Sequence, residues 1–224
     1  IMPFFGMQRT ILLQPRAGRW EKPDRVAEDF LKFMDSELQS KPYKGIGEFI
    51  IRHYSYDCPT GARSIDVDLP IDSPLMRRFL DLAAKYELPM LVHYEAEEKT
   101  IPPLKKILEY KPEVIFIWAH NTGRPTPDLA RRMLRQYPNL YGDLGGMNSE
   151  STYGQVSPKD GQVPKNPIED GKGHLRKEWI EVYEEFPDRY IGFGLDWAHP
   201  ETWLYSEAWV WYMRSMRRFK LLLS

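Results

Sequence analysis

The residues whose types and spacing could do chemistry are Glu48, His93, His120 and Asp196, each near the C-terminal end of an apolar run. The runs read GIGEF, LPMLVHY, VIFIWAH and YIGFGLD. Carboxylates and imidazoles gathered at the edge of an apolar core are costly unless something pairs them. A divalent cation is the simplest such partner, and a His/Asp/Glu donor set suits zinc or a similar metal. Taken alone, each residue also has a structural reading as a hydrogen-bonded strand-end group. Asp196, which follows glycines, could equally cap a turn or helix. Their joint occurrence favours the metal.

The elements that must position these residues alternate along the chain. Apolar runs over 9–15, 45–51, 88–94, 114–120, 139–146 and 190–196 read as strands. Between them lie helical patterns. The stretch 23–38 carries Val26, Phe30, Phe33, Met34 and Leu38 at helical spacing, and Asp72-Ser73-Pro74 opens a helix with Leu75, Phe79, Leu82 and Ala83 on its apolar face. Further helices are predicted over 102–110, 127–137 and 174–186, with an aromatic-rich one from 201 onward. The Pro/Gly-rich stretch 148–173 is too long for an ordinary connection and is expected to form a loop over the active face.

This β-α alternation argues for an α/β fold with a parallel sheet covered by helices. Chemistry at successive strand ends fits a (β/α)8 barrel, incomplete by its first one or two units, better than a doubly wound sheet. No Gly-rich phosphate loop is present. Strand alternation puts Glu48 above Ile46, His93 above Leu91, His120 above Trp118 and Phe116, and Asp196 above Gly194 and Gly192. All four can then converge at one end. His53 has the opposite parity to Glu48 and reads as structural. Among weaker candidates for substrate binding, Arg124 could grip a carboxylate bidentately and His199 could line the pocket. Asp143 could orient His120 or cap the turn.

At 224 residues the chain reads as a single domain over 1–224. The net charge of -1, with both signs interspersed, offers no electrostatic case for nucleic acid or an anionic membrane. The single Cys58 excludes an intrachain disulfide. No run approaches the ~20 apolar residues of a membrane span. The expected partner is a small-molecule substrate, with a homo-oligomer left open, and the cytoplasm is the compartment favoured.

GIGEF, PMLVHYEAE, VIFIWAHNTG, NLYGDLGGM and YIGFGLDWAHP, in that order, resemble the amidohydrolase-related family of metal-dependent hydrolases with TIM-barrel fold. The resemblance runs from about the third barrel strand to the eighth. It implies that His93 is the fifth-strand metal ligand, His120 the sixth-strand histidine and Asp196 the eighth-strand aspartate. Glu48 matches a fourth-strand acid that some relatives use as a ligand. It further implies that metal-activated water attacks an amide, ester or lactone carbonyl. Asp196 would be the general base, with His120 binding metal or polarising the carbonyl. Relatives with the same donors perform decarboxylation or hydration instead. Two other readings stand beside these: a catalytically silent barrel acting as a binding module, and a metal-free glycosidase using Glu48 and Asp196.

The family's first strand carries His-x-His. The five histidines here are His53, His93, His120, His174 and His199, and none precedes Glu48. The expectation is an incomplete barrel with exposed sheet edges, marginal stability and weak metal binding.

Overall fold

The computed structural model describes residues 4–7, 17–54, 66–144, 168 and 175–191. The elements in order are β1 (Phe4–Phe5), α1 (Ala17–Glu21), α2 (Arg25–Ser40), β2 (Gly45–His53), β3 (Val67–Asp68), α3 (Pro74–Lys85) and β4 (Met90–Tyr94). There follow α4 (Ile101–Tyr110), β5 (Phe116–Trp118), the turn α5 (Ala119–Gly123), α6 (Pro127–Gln136), β6 (Leu140–Asp143), α7 (Lys177–Glu185) and β7 (Tyr190–Ile191). Helix starts follow local chemistry. Asp24, Ser73 and Thr126 accept hydrogen bonds from the backbone N–H of Ala27, Met76 and Leu129 at 3.1, 3.2 and 3.3 Å. Each satisfies a donor that the first helical turn leaves unpaired.

The sheet order is β1-β2-β4-β5-β6-β7, every neighbouring pair parallel. The short β3 joins antiparallel to the C-terminal end of β2, through Arg52↔Asp68 and His53↔Val67. The fold is thus the expected α/β type with a mostly parallel sheet in chain order, as one wall of a barrel would be. Among the described residues the sheet is open, and no helix is long and apolar enough to cross a membrane.

Several elements differ from their sequence patterns. The strand expected over 9–15 lies outside the described residues. The first described strand is Phe4–Phe5, pairing with Gly45 and Ile46. The sequence PRAGRW at 15–20 reads as a turn and the polar stretch 54–73 as a loop, but helix α1 occupies part of the first and β3 falls within the second. On α2 the buried stripe is Ala27, Leu31, Met34 and Leu38, while Val26 is 51% and Phe33 43% exposed. The helix turns its small Ala27 inward, and Phe33 instead rests its ring near Phe5 and Phe30 at 6.2 and 6.4 Å. Ile168 is buried, but the remainder of the loop 148–173 and the helix from 201 fall outside the described residues.

The core lies between the sheet and its helices. Phe79 of α3 packs against Phe49 of β2, Trp20 of α1 and Phe30 of α2, with ring centroids 5.1, 6.0 and 6.1 Å apart. Phe49 therefore faces the helices, and its neighbour Glu48 faces the other side of the sheet. Phe79→Ala is expected to cost about 3–5 kcal/mol of folding stability, whereas Val26→Ala should stay within about 0.5 kcal/mol. Urea denaturation followed by circular dichroism would check both. Equal effects would mean that the aromatic cluster is not the centre of the core.

Candidate metal centre

Glu48, His93 and His120 come from β2, β4 and the turn after β5, adjacent in the sheet. Their presented atoms form a tight triangle. His93 Nδ1 lies 2.9 Å from His120 Nε2 and 3.4 Å from Glu48 Oε1, and His120 Nε2 lies 3.3 Å from the same oxygen. Both histidines are buried, and the Glu48 side chain is 25% exposed. Glu48 Oε1 itself is a buried atom without a hydrogen bond among the described residues. Donor atoms ~2.0–2.1 Å from a tetrahedral zinc would lie about 3.3 Å apart, so the triangle fits a divalent ion.

Local backbone irregularities create this convergence. The β2–β4 register shifts between Ile46 and Phe49 and again between Ile50 and Arg52. Gly47 sits at φ +138°, where an added Cβ would meet the backbone oxygen of Leu91 and its Cβ. Ile50 pairs with His93, so Glu48, two residues earlier, shares that face. The second irregularity reverses the alternation and brings His53 to the same side. Its ring lies 4.9 Å from that of His93, which corrects the parity expectation that kept it away.

His120 does not end a strand. β5 stops at Trp118, and residues 120–124 all have positive φ: His120 57°, Asn121 54°, Thr122 60°, Gly123 75° and Arg124 58°. This is a left-handed turn closed by the Arg124 N–H donating to the His120 carbonyl at 2.9 Å. Such backbone costs about 1–2 kcal/mol per non-glycine residue and persists only where the surroundings fix it. Here they do. The His120 N–H donates to Asp143 Oδ1 at 3.1 Å, the Tyr183 hydroxyl to Asn121 Oδ1 at 3.2 Å, and the Ala96 N–H to the Gly123 carbonyl at 2.8 Å. Strand alternation therefore does not govern His120, and Asp143 holds it by the main chain.

A family model described as Amidohydrolase matches residues 55–217. The chain belongs to the amidohydrolase family. The matched span includes His93, His120 and Asp196, while Glu48 precedes it. No curated protein matches the chain. Among solved structures, an amidohydrolase 2 from Bifidobacterium longum subsp. infantis is similar, with 16% identity and a TM-score of 0.38. The similarity covers 79% of this chain and 62% of that one, so the chain spans less than two thirds of that relative's length.

Of the residues singled out in the sequence, Asp196 and His199 lie outside the described residues. Arg124 is near the centre, and its Nη1 is bonded to Glu95 Oε1. Glu95 escaped the sequence reading. It is 3% exposed, and its Oε1 lies 3.0 Å from His93 Nε2. The available signal was its position two residues beyond a strand histidine, which strand alternation puts on the same side.

The charges of this cluster do not cancel among Glu48, Glu95 and Arg124. With both imidazoles neutral they leave one negative charge uncompensated, a second reason why a cation fits. Burial works against ionising Glu48, but the imidazoles of His120 and His93 outweigh it and hold its carboxyl well below the usual range. Burial likewise opposes ionisation of Glu95. Arg124, with help from His93 and His120, overcomes this and brings it down from 4.5 to about 2. Because folding lowers this pKa, the ionised carboxylate contributes stability that is fully present above about pH 4.5 and lost as pH falls toward 2. Glu95→Gln is expected to lose less stability than the unaltered chain across that window. Urea midpoints measured over a pH series would show it, and parallel losses in the two proteins would contradict the assignment.

Proposed function

We propose that this chain is a metal-dependent hydrolase that uses Glu48, His93 and His120 to hold a divalent ion, zinc by the chemistry of its donors. The observation that carries this reading is the triangle of one carboxylate oxygen and two imidazole nitrogens, 2.9–3.4 Å on an edge, around a buried oxygen with no hydrogen bond among the described residues. When bound, such an ion supplies a water of pKa near ~7 and polarises a carbonyl. The substrate class proposed is an amide, ester or lactone.

The chain's own residues divide the remaining work. Glu48 and His93 keep their donor atoms on the face of the sheet opposite the helices, and His93 lies next to the C-terminal end of β4, the end at which α/β barrels carry their sites. His120, fixed through its N–H by Asp143, is placed to bind the ion or to donate toward a carbonyl oxygen that gains charge. Asp196 is proposed to take the proton of the attacking water and return it to the leaving group. The His53 ring packs beside that of His93, with centroids 4.9 Å apart.

The chain stripped with a chelator is expected to take up one equivalent of zinc. Glu48→Gln, His93→Asn and His120→Asn should each weaken that uptake at least ~100-fold. Asp196→Asn should lower turnover about 10²–10⁴-fold on activated esters and lactones. Metal analysis and a hydrolysis panel check these points. Zinc uptake indifferent to His93→Asn would refute the donor assignment, and carbon dioxide release in place of hydrolysis would move the chain to the decarboxylases.

A further inference from the structure

The two nitrogens of the His93 ring face different partners. Nδ1 meets His120 Nε2 at 2.9 Å and Glu48 Oε1 at 3.4 Å, whereas Nε2 meets Glu95 Oε1 at 3.0 Å. Glu95 is a carboxylate almost wholly out of solvent, at 3% exposure. It is not one of the three clustered donors, because it sits on the other ring nitrogen.

Glu95 is held from several directions. Its N–H donates to the Arg52 carbonyl at 3.3 Å, and its carbonyl accepts from the Thr100 hydroxyl at 2.9 Å. Arg124 Nη1 donates to the same Oε1 that faces His93. Arg124 is placed in turn by the left-handed turn, through its N–H to the His120 carbonyl at 2.9 Å. One turn thus delivers His120 to the donor triangle and the guanidinium to the carboxylate behind His93.

An ionised carboxylate can only accept, and a neutral imidazole carries one proton. In the neutral ring, the 3.0 Å contact puts the proton on Nε2 and leaves the Nδ1 lone pair facing Glu48 and His120. We infer that Glu95 and Arg124 form a positioning pair that fixes the tautomer and ring orientation of His93, so that Nδ1 is presented to a divalent ion. This rests on the metal reading above and adds two residues to it. A carboxylate behind a metal-binding imidazole raises the basicity of the ring and holds its aim, and losing such a partner costs roughly 10–100-fold in metal affinity.

The test compares zinc affinity, by competition with a chromophoric chelator, in the unaltered chain, E95Q, the double variant E95L/R124M, and the donor variants E48Q and H93N. The double variant replaces the pair with apolar side chains of similar volume, so neither charge is stranded in the interior. Urea unfolding of the metal-free proteins, run in parallel, separates loss of fold from loss of affinity. E95L/R124M is expected to unfold cooperatively yet bind zinc about 10–100-fold more weakly. E95Q should fall between it and the unaltered chain, since the amide oxygen still accepts from Nε2–H. If both variants bind within about twofold of the unaltered chain while H93N does not, the positioning pair is wrong and the metal centre stands. If the unaltered chain binds no more zinc than E48Q, the metal reading fails and the pair's role fails with it.

Discussion

A carboxylate oxygen and two imidazole nitrogens within 3.4 Å of one another need a proton or a cation among them, because their lone pairs otherwise face each other. Most of the irregular features of this chain follow from meeting that condition. A proton between the rings meets it in part. A divalent ion meets it fully and also supplies a partner for Glu48 Oε1, the buried oxygen without a hydrogen bond among the described residues.

The convergence needs backbone that ordinary strands do not provide. A regular strand spaces same-face residues by two, which suffices for Glu48 and Ile50 but not for His53. The register shift between Ile50 and Arg52 corrects the difference. The end of β5 is a larger departure, with five successive residues in left-handed backbone. That conformation is unfavourable for His120, Thr122 and Arg124. It is held by bonds from three directions: β6 through Asp143, α7 through Tyr183, and the segment after β4 through Ala96. The energy comes from the packing of the whole sheet and is concentrated where the chemistry is.

Membership of the amidohydrolase family places His93, His120 and Asp196 in one matched span, with Glu48 just upstream of it. The geometry joins Glu48 to the two histidines across neighbouring strands. The acid nearest the histidines in sequence, Glu95, takes a different place: it faces the outer nitrogen of His93 and draws Arg124 with it. Two glutamates around one imidazole thus serve different purposes, one in the donor triangle and one behind the ring.

The alternation of the parallel strands and their helices from β2 onward was legible in the sequence because apolar runs and helical spacing report directly on which residues leave water. So were the helix start at Asp72-Ser73-Pro74 and the gathering of Glu48, His93 and His120, since each lies on or just after a strand of one parallel sheet. Which face of α2 is buried was not legible. Val26 and Ala27 both fit a helical stripe, and only packing against α3 chooses between them. Nor could alternation place His53 or His120, because it assumes an unbroken strand, and bulges and left-handed turns arise from contacts distant in sequence. The burial of Glu95 is the clearest case. A glutamate after a strand reads as solvent-facing, and only the tertiary structure, by bringing Arg124 and His93 against it, supplies the charge and hydrogen bonds that let a carboxylate leave water.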